Sequence, residues 1–512
     1  MHWHRQREVT AVNKKISDFL FKNKVVILFL LLCVGATAAS KQPLTFVIPE
    51  LFTRIARNAF IVLALIIPVI TGLGLNFGIV VGAMAAQIAL FLTTYWGFTG
   101  VGGFFITVAL ATPIALVFGF LVGKLFNLVK GNEMIAGLIL GYFADGIYQL
   151  IFLFVFGGVI AMNNPTLMIA TGVGVKNTID LKDTVKYALD TIPMLTVLEI
   201  GFYLVIAGLL FTTIHKRIKK QAVNWKDTAL KAAAAVFVYA LTFIGPVEQF
   251  LSSDRLLLLL AVELGCLSVV LWQLFQIVRH KMTKHTGAGS FGKRDTFDIR
   301  RALVFIVLAG AVYGLTYIPA LFNVLIAVQL PVMTYICIGA LCVFNNLLMR
   351  TRLGQNMRAV GQNRAVANSA GIDVDKTPYY RHAVFYRACQ LGTAYLSAEY
   401  RAPCLPMVRI PRWGQFAIAA LLVGGASVQK ATNKNALLGI VLFHTLFIVS
   451  PLAGKKLFGD PVIGEYFRVF VSYGVIAMAL AMHAWKKPGT DKSKDGPSEF
   501  ESQMKPASLG KV

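Results

Sequence analysis

Long uninterrupted apolar runs dominate this chain, and they determine its solvent before any other feature can be read. A helix that crosses a bilayer needs about 20 predominantly apolar residues. Runs approaching or exceeding that length occur at 25–41, 60–73, 75–94, 103–127, 135–160, 194–214, 233–251, 256–278, 302–319, 320–348, 416–430, 436–454 and 464–485. They predict an all-α, polytopic integral membrane protein with about 12–14 transmembrane or half-helices. Only 14% of the residues are charged, against about 25% in soluble domains. Disorder, collagen-like repeats and a soluble enzyme are excluded on that basis.

The net charge of +25 would suggest nucleic acid in a soluble protein. Its position along the chain gives another reading. Basic residues crowd the lead 1–24, the loop 215–231, the loop 279–301 and the segment beginning at Arg350. With one crossing per run and a cytoplasmic N-terminus, all four fall on the cytoplasmic side and the loop 162–193 falls outside. The charge thus predicts orientation in a cytoplasmic membrane, with both termini inside and no nucleic-acid partner. Val25–Ser40 ends in a small-residue stretch resembling a signal-peptidase site. The charged lead and the many later runs predict an uncleaved first anchor instead. The six cysteines form no C-x-x-C pair, so neither a zinc site nor a disulfide framework is expected.

Counting crossings exposes a discrepancy. Ten crossings return the chain to the cytoplasmic side at residue 349, and the basic tail 486–512 reads as cytoplasmic too, yet only three apolar segments separate them. The missing span falls at 379–414, which carries Arg381, Arg387, Arg401, Arg409, Arg412, Glu399 and three prolines. A central arginine costs about 2.5–3.5 kcal/mol on insertion. Two readings stand: a structured cytoplasmic loop with a re-entrant segment among the last three runs, or non-native sequence such as a local frame error. The remaining organisation is a first membrane half at 25–348, a polar segment at 349–378 and a glycine-rich half at 415–485.

Within that polar segment, Leu353, Met357 and Val360 fall at helical spacing among Gly, Asn, Gln and Arg. This describes a short amphipathic helix followed by a small-residue turn, suited to docking in a groove of another protein. The passage Thr351–Ile372 resembles the coupling loop of bacterial ABC-importer permeases for branched-chain amino acids, simple sugars such as ribose and galactose, and nucleosides. Arg352, Gly354, Arg358, Ala359, Val360, Gly361, Asn363, Ala370 and Gly371 match its pattern; Val366-Ala367 stands where the pattern has an alanine pair. Gly72, Gly74, Asn76 and Gly78 resemble the family's first glycine-rich half-helix, and Gly424, Gly425 and Ser427 its late partner. Asn132 and Glu133 resemble the opening of a mid-chain span.

The resemblance implies an inverted-repeat permease core whose translocation path is lined by those glycine passages. It implies a separate ATPase subunit that binds ATP and Mg²⁺, a solute-binding protein or lipoprotein, and a second permease subunit in the same bilayer. This chain would then be no enzyme and would bind no cofactor or metal itself. The helices at 233–278 and the loop 279–301 exceed the family's core and read as an insertion. Gly287–Arg294 mimics a phosphate loop, but Arg294 replaces the Mg²⁺-binding hydroxyl and no strand precedes it. Asp145, Glu199, Glu248, Glu263, His444, Glu465 and Arg468 lie within apolar runs. They keep a rival reading open, an ion- or proton-coupled secondary transporter.

Overall fold

A computed structural model describes residues 23–129, 133–219, 225–285, 299–373, 404–406 and 410–484, apart from 163, 166, 170–173, 177, 182–183, 186–187, 244 and 428–429. The described residues are mostly helical (81%), as in an all-α membrane protein. Among the described residues five helices are long and apolar enough to cross a bilayer: Leu44–Ile70, Gly100–Leu128, Met194–His215, Val332–Arg350 and Asn433–Phe458. Large apolar side chains such as Phe211, Val307 and Phe470 stand exposed on the outer helix faces, as hydrocarbon solvent allows. Three predicted runs are redrawn. The run 60–73 belongs to a helix that begins at Leu44, because Glu50 satisfies Arg54 and Arg57 and so lets charge enter the segment. The run 320–348 is two elements: a short helix bent 87° from the preceding one, and then the span from Val332. The run 233–251 breaks at Ala240 and resumes only as a short helix, Gly245–Leu251.

The core forms around α1 (Lys24–Ser40), α2 (Leu44–Ala64), α3 (Ile66–Ile70), α4 (Ile79–Tyr95), α5 (Gly100–Leu128) and α6 (Glu133–Leu150). Pro68 explains the break between α2 and α3, since it lacks the N–H that would bond the Ala64 carbonyl. α7 (Met194–Ile218), α8 (Trp225–Ala240), α9 (Gly245–Leu251), α10 (Leu258–His285), α11 (Ile299–Thr316) and α12 (Pro319–Ala327) follow. α13 (Val332–Arg350) then leads into the predicted amphipathic helix, α14 (Arg352–Gln362), and α15 (Arg364–Ser369). The chain closes with α16 (Ile410–Val423), α17 (Asn433–Phe458) and α18 (Pro461–Ala484).

Hydrogen bonds assign elements to the two ends of this layer. At one end Thr334, in the first turn of α13, donates to Asp190 at 2.5 Å, and the N–H of Gly100 donates to Thr184 at 2.7 Å. The loop between α6 and α7 therefore caps the end where α13 starts, opposite Arg350. β1 (Thr178–Asp180) in that loop pairs antiparallel with β4 (Cys404–Pro406). Most of 379–414, and with it the frame question, lies outside the described residues. The strand pair puts Cys404 at the Asp190 end, while Arg350 stands at the other. A second pair, β2 (Arg255–Leu257) with β3 (Gln329–Pro331), ties the start of α10 to the start of α13.

Small residues let the last two helices approach closely. A Cβ on Gly464 of α18 would overlap the Ser450 carbonyl of α17, whereas one on Gly474 would meet nothing within 4 Å. Gly464→Leu is expected to lower the melting temperature of the detergent-solubilised protein by at least about 3 °C, from an overpacking cost of about 1–3 kcal/mol. Gly474→Leu should leave it within about 1 °C. Equal melting of the two variants, measured by thermal scanning, would contradict this helix crossing.

Candidate functional site

The two glycine passages close two helices in the same way. At the end of α3, Leu73 N–H bonds the Pro68 carbonyl and Gly72 N–H bonds that of Val69, with Gly72 at φ +81°. At the end of α16, Ala426 N–H bonds Leu421 and Gly425 N–H bonds Leu422, with Gly425 at φ +83°. Both are the paired C-terminal cap that demands a left-handed residue, which is why glycine stands at each. Beyond the first cap, Asn76 is buried and its Oδ1 accepts from the Gly78 N–H at 2.9 Å, starting α4. Gly74, also at positive φ, lets the chain turn between the two.

The predicted coupling helix docks on the first of these caps. Gly354, Met357 and Val360 form its buried stripe, while Arg352 and Arg358 are exposed and Ala359 is half-buried. Leu353, expected on that face, is only half-buried; Gly354 takes its place because the turn runs under the Leu348 carbonyl, where a Cβ would overlap. Thr351 caps the helix, its Oγ1 accepting from the Gly354 N–H at 3.2 Å. At the far end the Gly361 backbone lies against Thr71 and Gly72, and a Cβ on either Gly72 or Gly361 would overlap the other's backbone. Two residues predicted for separate roles, one in the coupling loop and one in the path, are thus in direct contact.

The other predicted positions disperse. Asn363 Oδ1 accepts from the Val366 N–H at 3.2 Å and starts α15. Val366, where the alanine pair departs from the pattern, is exposed and tolerates its extra bulk, whereas Ala367 is buried. Ala370 and Gly371 are exposed beyond α15, with Gly371 at φ +77°. Gly424 packs against α17, where a Cβ would overlap the Asn435 carbonyl. Ser427 is exposed and accepts from the Lys430 N–H at 3.1 Å. Glu133 opens α6. Asn132 and the phosphate-loop mimic at 287–294 lie outside the described residues.

Three asparagines that the sequence reading passed over knit this end together. Asn345 of α13 donates to the Leu63 carbonyl at 3.0 Å and to Asn433 Oδ1 at 3.4 Å. Asn433 in turn donates to the Cys342 carbonyl at 2.8 Å, and Asn435 to that of Gly424 at 2.7 Å. Their only sequence signal is an amide side chain inside or beside an apolar run. Beside this knot opens a cavity of about 660 Å³, bounded by the α3 cap, the end of α13, α14 and the segment leading into α17. Deeper in the layer, Gly137 and Gly141 of α6 press on Asn76 and Phe77. There Gln415 of α16 donates to the Tyr142 hydroxyl at 2.8 Å and accepts from that of Tyr473 at 3.1 Å. The void beside Gln415 is only about 10 Å³, no more than the space of a single water.

Of the ionisable residues inside apolar runs, Glu465 and Arg468 form the ion pair their spacing suggested. Arg468 also lies 4.7 Å from the centre of the Phe447 ring. Asp145 is buried with one carboxyl oxygen held by Gln149 at 2.8 Å and the other without a hydrogen bond. His444 is buried among Phe443 and Phe447, its Nδ1 without a partner. No group of three metal-ligating side chains occurs among the described residues. No family model, curated protein or solved structure matches the chain.

Asn345→Leu leaves the buried Leu63 carbonyl and the half-buried Asn433 Oδ1 without their donor and is expected to destabilise the protein by about 1–3 kcal/mol, read as a lower unfolding midpoint in mixed micelles. Gly361→Ala should lift the end of α14 off the α3 cap. Limited trypsin digestion should then cut after Arg352, Arg358 or Arg364 at least several-fold faster than in the unmodified protein; unchanged cutting would count against the backbone contact.

Proposed function

We propose that this chain is the transmembrane permease subunit of an ATP-binding cassette importer in a bacterial cytoplasmic membrane. The observation that carries the reading is the seating of α14 on the α3 cap through Gly361 and Gly72. A helix pushed by an external ATPase at this point moves the cap directly, because no side chain lies between the two backbones to absorb the displacement. In this reading the core is an inverted repeat of about 12–14 transmembrane or half-helices; the glycine caps ending α3 and α16 support its half-helices. The gathering of Arg217, Lys219 and Arg350 at helix ends supports a cytoplasmic assignment for that face and for both termini.

ATP and Mg²⁺ would bind the partner ATPase, and an external solute-binding protein would deliver a simple sugar, nucleoside or branched-chain amino acid. A second permease subunit, identical or related, completes the assembly. The Gln415, Tyr142 and Tyr473 cluster, with its hydroxyl and amide groups, suits an uncharged or zwitterionic solute. Asp145, with its unpartnered oxygen, favours the second reading, a proton- or ion-coupled carrier.

Uptake into proteoliposomes separates the two. The importer reading expects uptake that stops without ATP or the ATPase subunit and persists with an uncoupler. Loss on adding uncoupler alone would establish the carrier. Gly361→Arg is expected to keep membrane insertion and ATP hydrolysis while reducing uptake at least about tenfold, or about 1.4 kcal/mol of coupling. Unchanged uptake would refute the docking role.

A further inference from the structure

The cavity of about 660 Å³ beside α14 is as large as many small-molecule sites, which span about 300–1,000 Å³. Its wall carries Arg350 from the end of α13, Arg358 from α14 and Lys430 from the segment before α17. Among the described residues no carboxylate lines the cavity, and none of the three cations forms an ion pair. All three are solvent-exposed, and an anion shared between them would relieve the repulsion that solvent leaves. The Gln362 amide and the N-terminal end of α17, a long helix entered at Thr432, add further attraction for negative charge. Ile66, Ile70 and Met349 make the remaining wall apolar.

We propose that this cavity binds a phosphate-bearing ligand whose oxygens are shared by Arg350, Arg358 and Lys430. Phosphate suits the site better than a carboxylate, because its oxygens can meet donors converging from three separate elements, and the two guanidinium forks match phosphate geometry. The cavity is far larger than an inorganic ion, and its apolar wall accommodates the carbon skeleton attached to the phosphate. It lies at the end of the apolar span Val332–Arg350, and basic residues at the ends of such spans are where lipid headgroups are met. An anionic glycerophospholipid and a free organic phosphate share the required chemistry. Bound there, the ligand ties α14 to α13 and to the start of α17, beside the Gly361–Gly72 contact. The binding claim is independent of the transport reading.

The test uses the purified full-length protein in two arms. In the first, the protein is placed in nanodiscs of mixed phosphatidylglycerol and phosphatidylcholine, and retained lipid is counted by native mass spectrometry. In the second, delipidated protein in detergent is titrated with glycerol phosphate and followed by thermal shift. Phosphatidylglycerol is expected to be enriched at least about fivefold. The enrichment should be lost in the Arg350→Gln, Arg358→Gln, Lys430→Gln triple variant and only partly lost in the Arg350→Lys, Arg358→Lys variant, which keeps the charge but not the guanidinium forks. Lys456→Gln, at the opposite end of α17, should behave as the unmodified protein. Enrichment that soluble glycerol phosphate does not displace assigns the site to lipid. A thermal shift with glycerol phosphate that disappears in the triple variant assigns it to a free organic phosphate. Either outcome supports the proposal. Lipid retention and thermal shift that are the same in the unmodified protein and the triple variant would overturn it, as would loss in the charge-preserving variant equal to that in the triple variant.

Discussion

The contact between the backbones of Gly361 and Gly72 is the constraint around which this end of the molecule is organised. It requires a glycine on each side, since a Cβ on either would overlap the other chain. It requires α3 to end in a left-handed cap, which places Gly72 at φ +81° with its face open to α14. It also requires α14 to bury a narrow stripe, Gly354, Met357 and Val360, so that its last turn reaches the cap. An amphipathic helix beside a membrane could otherwise pack in many orientations; the pair of glycines selects one.

A broken helix inside an apolar layer frees carbonyls that hydrocarbon cannot satisfy. The asparagines answer that need. Asn345 reaches the Leu63 carbonyl near the Pro68 break, and Asn435 reaches the Gly424 carbonyl at the second break. Thr71 folds its hydroxyl back onto the Ile67 carbonyl at 2.8 Å. The polar side chains in this part of the layer therefore first serve the backbone. The cavity opens where that service ends, and Arg350, Arg358 and Lys430 are among its lining residues.

Much of this was legible in the sequence because it is local. The glycine passages at 72–78 and 424–427 announce helix ends, and both are helix ends. The polar spacing of 351–362 announces an amphipathic helix, and α14 follows it to within one residue of its buried stripe. Legibility failed where a partner, on the same helix or far along the chain, offsets a local violation. The start of α2 was missed because Glu50, Arg54 and Arg57 look too polar to enter a membrane until their pairing is seen. Asn345, Asn433 and Asn435 were missed because each is unremarkable in its own run.

The sequence by itself determined the solvent, the helical character, the clustering of basic residues on a few loops and the places where helices must stop. Those properties depend on hydrocarbon transfer, backbone hydrogen bonding and the φ freedom of glycine, all of which act within a few residues. Tertiary structure alone decided that the stop at Gly72 meets the helix ending at Gln362, that β4 returns the chain to the Asp190 end, and that three distant cations share one cavity. Each of these is a meeting of segments separated by many residues. Only packing, with its exclusion of one atom by another, selects such meetings.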